Sequence, residues 1–278
     1  MINNLKLYDC IPFYKNNLLF ELRLKTLNNI VDKFIVCEAT KTHSGKTKNL
    51  EFDIKKFKEY KNKIEYIVVD DMPKINFKSK EKYPLYNFQI NKLYKGIIDA
   101  DEEDLIMVSD EDEIPNPERI KDFKFEKFRY GIFLQNLYYY KFNIQNLNEH
   151  NGNRWPGSRI CKKKFLKSFA WFRSLKTKNT EASVWKFWKE KSIQLIEKGG
   201  WHFTYLMSDK DISNKIKSSE HSEFNKEEFT NISKIKFRIE NLIDPFERKN
   251  KLAKVKINES FPNFLVNNQD YYSDWILK

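Results

Sequence analysis

Short apolar runs alternate with amphipathic stretches along the first 110 or so positions, and each run ends in polar or acidic residues. Leu5 to Phe13 predicts a first strand that ends at Pro12. Asn16 or Asn17 is placed to cap a following helix, whose apolar face is Leu19, Leu22, Leu27 and Ile30. Lys33 to Ala39 predicts a second strand, ending at Glu38 and running into the polar loop Thr40 to Lys46. Lys63 to Val69 predicts a third, ending at Asp70 and Asp71. Pro84 suits the first turn of a helix with Tyr86, Ile90, Leu93, Tyr94 and Ile97 as its buried stripe. Leu105 to Val108 is a continuous apolar run of the kind that makes a fully buried strand. It stops at four consecutive acids, Asp110, Glu111, Asp112 and Glu113, and Pro115 and Pro117 prevent a regular ladder beyond them. Strands alternating with helices predict βαβ units and an α/β fold with a mostly parallel sheet. In such a sheet the strand ends share one edge, where ligands bind. Three of those ends bring Glu38 with its loop, Asp70–Asp71 and the acid run to that edge.

Beyond Asn116 the pattern changes. Tyr130 to Phe142 is long, aromatic and strand-like, and Asn151 to Ser158 predicts a turn-rich loop around Trp155, Pro156 and Gly157. Arg159 to Leu166 and Ser168 to Arg173 predict further, antiparallel strands. Gly199–Gly200 is a turn into a short aromatic strand through Trp201, His202 and Phe203. Ser208 caps a helix with Ile212 and Ile216 on one face, and Asn225 with Glu228 forms a capping box for a helix through Phe229, Ile232, Ile235 and Ile239.

Composition adds limits. A chain of 278 residues, 40% hydrophobic and 15% aromatic, is long enough to bury the core of one α/β domain with an added element. No apolar run reaches the roughly 20 residues that span a bilayer, and the N-terminal stretch has no basic segment followed by an apolar one, so no signal peptide is expected. Cys10, Cys37 and Cys161 lack metal-like spacing and predict buried free thiols in a reducing compartment. The expected location is cytoplasmic, at most peripheral on the inner face of a membrane. The net charge of +12 favours anionic partners, whether nucleic acid, anionic lipid or phosphorylated substrate. A nucleic-acid binder would leave the acid run without a role, so no nucleic acid is expected.

Four acids at a strand tip repel one another unless a cation is present, and hard oxygen ligands suit Mg²⁺ or Mn²⁺. The alternatives are another Mg- or Mn-dependent phosphate-ester enzyme or a non-catalytic basic nucleic-acid-binding protein. Haloacid-dehalogenase-like phosphatases, however, need Asp-x-Asp after the first strand with a following Thr, whereas here it follows the fourth.

The segments YDCIPFYKNNLLFELRL, VDKFIVCEATKTHSGKTK, YIVVDDMP, SDEDEIPNP and GGWHFTY, in that order, resemble the family 17 glycosyltransferases, which include the enzyme adding the bisecting N-acetylglucosamine to N-glycans. The resemblance spans roughly residues 5 to 225. It implies a GT-A-like domain over 1–205, with flanking helices and a small antiparallel sheet on the acceptor side, and a helical extension over 206–278 packed on it. It also implies a UDP-sugar donor (UDP-GlcNAc in the known member), a divalent metal, a glycan acceptor and inversion to a β-linkage. This chain departs from the family's pattern at Ile90, between Gln89 and Asn91, where Arg is usual, and at Glu111, where Val is common.

By that resemblance Asp110, Asp112 and His202 are the candidate metal ligands, Asp110 also reaching the ribose. Alternate residues of an extended segment point the same way, which suits the Asp110–Asp112 pair. His221 is the rival to His202. Ile11, Pro12 and Phe13 are expected beside the base, Glu38, Thr40, His43 and Ser44 at the donor, and Gln89 and Asn91 at the ribose or diphosphate. Glu113 is the first candidate for the base that takes the acceptor proton, with Asp209 and Glu223 as alternatives. Trp155 and Tyr138–Tyr140 are candidates to stack on sugar faces.

Overall fold

The computed structural model describes residues 5–74, 83–148, 154–181, 183, 185–186, 188–219 and 222–278. In chain order its elements are β1 (Leu7–Phe13), α1 (Asn17–Leu27), β2 (Lys33–Ala39), β3 (Ile64–Val69), α2 (Pro84–Asn91), β4 (Leu105–Val108), β5 (Glu113–Pro115), α3 (Pro117–Ile120), β6 (Tyr130–Tyr139), β7 (Ile144–Asn146), β8 (Arg154–Lys162), α4 (Phe169–Ser174), β9 (Ile193–Ile196), β10 (Gly200–Thr204), α5 (Asp209–Ser218), α6 (Glu227–Thr230), α7 (Ile232–Glu240), β11 (Leu252–Lys254) and α8 (Asn263–Asn267).

β1 is buried along its whole length and lies between β2 and β4, parallel to both, with β3 parallel to β2 at the outer edge. Its side chains divide by the two-residue period of a strand. Tyr8 and Cys10 enter one core with Ile35, Cys37, Ile90, Leu93 and Ile97. Leu7, Ile11 and Phe13 enter the other with Phe20, Leu24, Phe34 and Val36. Asp9 breaks the apolar run and is fully buried, but Arg23 of α1 meets it with Nε at 2.6 Å and Nη2 at 3.1 Å. A buried pair with two-point contact avoids leaving either charge alone in the interior.

On the far side of β4 the sheet turns antiparallel. β8 pairs with β4 and β6, while β9 and β10 run parallel to different halves of β6. The fold is therefore α/β, with a parallel half and a mixed half. Residues 206–278 carry helices α5 to α8 and one strand: β11 pairs with β7 and joins the same sheet.

Several expectations are corrected. Trp155, Pro156 and Gly157 lie inside β8, not in a loop. Pro156 is tolerated because β8 is paired with β4 only over Arg159–Lys162, so no neighbour on that side needs its missing N–H. Gly157 is required by a close approach: a Cβ there would sit 1.7 Å from Oε1 of Gln135. The segment Ser168 to Arg173 is helix α4, with the Ser168 side chain accepting from Trp171 N–H, instead of a strand. The helix expected from Asn225 is broken at Asn231, which ends α6 and caps α7.

Candidate active site

The acid run is a tight turn. Val108 ends β4, Glu113 N–H donates to Asp110 C=O (3.1 Å), and the chain reverses into β5. Asp110 and Asp112 are thus corners of a turn and not alternate residues of an extended segment, as the sequence suggested. β10 fixes the turn from the other side. Its register puts His202 opposite Glu113, and Phe203 N–H donates to Asp112 C=O at 2.8 Å. Arg23 also reaches Glu113 C=O, so α1 holds the turn from beneath.

Each acid has a different partner. Asp112 is held between Lys215 of α5 (Oδ2–Nζ 2.9 Å) and His202 (Oδ1–Nε2 3.2 Å). Burial alone would raise its carboxyl, but Lys215 and His202 hold it far below the carboxylate range. Burial alone would lower Lys215, and the charges of Asp112 and Glu111 hold it above its ordinary value, so it is an ammonium. Glu111 accepts from Tyr14 N–H (2.8 Å) and Lys15 N–H (3.1 Å), in the turn that leads into α1. Burial nevertheless raises its carboxyl.

Asp110 accepts from Tyr86 Oη (2.8 Å) and Arg173 Nη2 (2.6 Å) and is one-third exposed. Burial raises its carboxyl above the ordinary range, Arg173 opposes this, and Glu113 and Asp112 add to it. Glu113 is fully buried and takes Arg173 as a two-pronged fork (2.8 and 3.0 Å), Trp155 Nε1–H (2.7 Å) and the N–H of Asp110 (3.0 Å). Burial alone would raise its carboxyl; Arg173 brings it below its ordinary value. The repulsion among the acids is therefore answered by Arg173 and Lys215, cations of the chain itself.

Beside the turn is a cavity of about 270 Å³. Pro12, Phe13, His43, Gln89, Asp110, Asp112 and His202, all expected at the site, line it. The remaining candidates lie elsewhere, each for a visible reason. Glu38 is wholly buried and ties down the loop after β2, accepting from Tyr66 Oη (2.8 Å), the N–H groups of Glu51 and Phe52, and Lys48. Thr40 bonds to Val69 C=O. Ser44 bonds to Thr42 Oγ1 at 2.9 Å. Asn91 faces away and accepts from Ala170 N–H at the start of α4. Ile11 is core. Glu113 supports the turn from within and does not reach the cavity, which removes the geometry expected of a base.

Asp70 and Asp71 share the sheet edge but not the cavity. Asp209 and Glu223 are not among its lining residues, and His221 lies outside the described residues. Gln89 lines the cavity, yet its amide is held between Cys37 C=O (2.9 Å) and His43 Nε2 (2.8 Å). Tyr138 and Tyr140 are core; Tyr139 lines a neighbouring cavity with Trp155.

Sequence reasoning missed Tyr14, Tyr86, Arg173, Tyr205 and Lys215. Tyr86 was visible only as one of a helix stripe. Arg173 and Lys215 carry no local motif and are brought in by α4 and α5 folding back over the strand ends.

Among the described residues no three His, Cys, Asp or Glu side chains converge on one point as a metal site. The expected trio is split, because Asp110 turns to Tyr86 and Arg173. Asp112 and His202 remain as an oxygen–nitrogen pair suited to Mn²⁺. Their 3.2 Å separation is close to the roughly 3 Å between neighbouring ligands of an octahedral ion with ~2.1 Å bonds. Nδ1 of His202 is buried and has no hydrogen-bond partner among the described residues.

Comparison with known proteins places these observations. Among solved structures, the fold is similar to 4-diphosphocytidyl-2C-methyl-D-erythritol synthase (13% identity, TM-score 0.38, covering 70% of this chain and 90% of that one). It is also similar to the inositol-1-phosphate CTP transferase of T. maritima (13%, TM-score 0.39, 84% and 96%). A third is a glycosyltransferase involved in glycosylation of the major capsid of PBCV-1 (9%, TM-score 0.30, 69% and 81%). Likenesses of that size carry no conclusion about activity. No curated protein matches the sequence. No helix among the described residues is long and apolar enough to cross a membrane. The pattern of Glycosyltransferase family 17 matches residues 2–155, more than half of the chain and including the whole acid turn; the chain belongs to that family and is a glycosyltransferase.

Proposed function

We infer that the enzyme moves a sugar, N-acetylglucosamine in the first instance, from a UDP-sugar to a glycan hydroxyl with inversion. The observation that carries this is Asp112 held between the Lys215 ammonium and the His202 imidazole in the wall of the cavity at the strand ends. Pro12 and Phe13 give the cavity an apolar wall for the nucleoside, and Lys215 gives it a fixed positive charge for the diphosphate. In the transfer the acceptor oxygen attacks the anomeric carbon from the face opposite the diphosphate. The bond from that carbon to the diphosphate oxygen breaks, and UDP leaves with the electron pair. Charge growing on the leaving oxygen is stabilised by a cation already in place.

Asp110 takes the base role first expected of Glu113. It is a cavity-lining carboxylate, and its raised pKa makes it the better proton acceptor. Glu111, the other raised acid, is engaged by the N–H groups of Tyr14 and Lys15. A divalent ion, when bound, would be held by Asp112 and His202 and would add Lewis-acid neutralisation of the diphosphate.

The test is thermal melting with UDP, Mn²⁺ and both, alongside UDP release from UDP-GlcNAc. UDP is expected to raise the melting temperature, more so with Mn²⁺, and Lys215→Met to remove most of the UDP effect. A protein whose melting ignores UDP with and without a divalent ion is not using this cavity for a nucleotide donor.

A further inference from the structure

A second cavity, of about 230 Å³, adjoins the first and shares with it His202, Thr204, Tyr205 and Ser219. Its chemistry is different. The first cavity is lined by Lys41, Lys48 and Lys215 together with Asp110, Glu111 and Asp112. Among the described residues the second has no carboxylate in its lining; its walls are mostly aromatic and aliphatic, with Leu137 and Ile216 among the aromatic rings, beside the shared His202, Thr204 and Ser219. Its one charged group among the described residues, Arg248, is already ion-paired. Asp244, itself buried, accepts from Arg248 Nε and Nη2 at 3.0 Å each, and Tyr139 Oη accepts from Nη2 at 3.1 Å. Three of the five guanidinium N–H groups are so engaged, leaving two for a hydroxyl. An occupant of this cavity is therefore uncharged, with apolar faces and hydroxyl edges.

Two features show that the cavity is held in shape. Trp155 lines the second cavity and not the first, and the residue is 38% exposed. It is nevertheless fixed, by its Nε1–H on Glu113 and by contact with the His202 ring at 4.8 Å. A large aromatic face that is both open and immobilised is a platform for the C–H face of a sugar ring. Tyr205, between the two cavities, has φ of +57°, a left-handed backbone that a bulky side chain adopts only when its surroundings impose it.

We propose that the second cavity is the acceptor subsite and that it takes a neutral saccharide stacked on Trp155. This rests on the reading of the first cavity as the donor site. An acceptor there lies against His202, next to Asp112 and so beside the expected anomeric carbon. Specificity follows from charge, since an acidic sugar would meet no unpaired cation.

The experiment is saturation-transfer NMR on the UDP- and Mn²⁺-bound protein, with lactose as the neutral probe and 3′-sialyllactose as the same disaccharide carrying a carboxylate. Lactose is expected to bind, and sialyllactose more weakly. Trp155→Ala is expected to weaken lactose about tenfold, the size of a lost aromatic contact. Leu137→Trp fills the cavity without touching the first one. It is expected to abolish the lactose signal and leave the melting shift by UDP unchanged, which covers the case in which Trp155→Ala fails to fold. Lactose binding that survives Leu137→Trp overturns the subsite. So does equal or stronger binding of sialyllactose, or a UDP-shifted wild type with no lactose signal. A wild type that UDP does not shift removes the donor reading instead.

Discussion

Arg173 decides the state of the acid turn, because one guanidinium serves both Asp110 and Glu113 with a side chain only 10% exposed. Removing one partner of a buried ion pair leaves the other charge without solvent or counter-ion and costs about 3–5 kcal/mol. Arg173→Met is expected to destabilise by about that amount in chemical unfolding. Arg173→Lys is expected to recover little, since a point ammonium cannot reproduce the fork on Glu113. Full recovery by Lys would mean that the charge alone matters. His43 gives a pH signature. Burial lowers its pKa from 6.5, with its bond to Gln89 opposing. Between that lowered value and 6.5 the unfolded chain binds more protons than the folded one. The His43 contribution is therefore complete above 6.5 and is lost as pH falls below it. His43→Gln is expected to flatten the melting-temperature profile just below pH 6.5; an unchanged slope there would mean that the imidazole is protonated at no cost in the fold. At this scale the sequence showed the acids and the histidines but not their partners. Four adjacent carboxylates can be read from a string, whereas Arg173, 60 residues away from Glu113 in the chain, becomes a partner only through the fold.

Among the elements, the parallel half was legible because each buried strand is a dense apolar run closed by a turn or acid, and β2 and β4 fall where the runs do. The mixed half was harder. Trp155–Pro156–Gly157 has the composition of a turn, and only the one-sided pairing of β8 and the close approach of Gln135 make it a strand. Ser168–Arg173 has the apolar density of a strand, and the Ser168 cap makes it a helix. The join between β5 and β10 matters most to the site, since it sets His202 opposite Glu113. It depends on Gly200, whose φ is +133° and whose added Cβ would lie 2.2 Å from Ile114 C=O. Gly200→Ala is expected to cost about 1–3 kcal/mol of backbone strain. It should also lower sugar transfer in the folded fraction by more than that loss of stability alone predicts, because the shift moves His202 against Asp112. Activity that follows folded protein in strict proportion would show that the β5–β10 register does not set the site.

At the scale of the whole molecule, the last 24 residues bear on the candidate active site although none lines its cavity. Phe261, Leu265 and Tyr272 are buried in one cluster with Leu19 and Leu22 of α1 and with Trp201 and Phe203 of β10. Trp201 Nε1–H donates to Ser260 C=O (2.9 Å), and Phe142 N–H donates to Trp275 C=O (2.9 Å). The backbone leading into the same α1 donates to Glu111 through the N–H groups of Tyr14 and Lys15, and the same β10 carries His202. Burying a large apolar side chain contributes about 1.5–3 kcal/mol, so these three together contribute roughly 5–9 kcal/mol, comparable with the ~5–15 kcal/mol stability of a whole domain. A chain ending at Lys254 is therefore expected to lose cooperative unfolding by circular dichroism as well as its response to UDP. A milder change separates packing from site. Tyr272→Phe keeps the ring and removes a hydroxyl that has no hydrogen-bond partner among the described residues. Losing an unsatisfied buried polar group is expected to raise stability by about 1 kcal/mol, with UDP binding unchanged. A Tyr272→Phe protein that melts lower than wild type would show that the hydroxyl is satisfied in solution, and a weakened UDP response at unchanged stability would show that the C-terminal cluster acts on the acid turn through more than its packing.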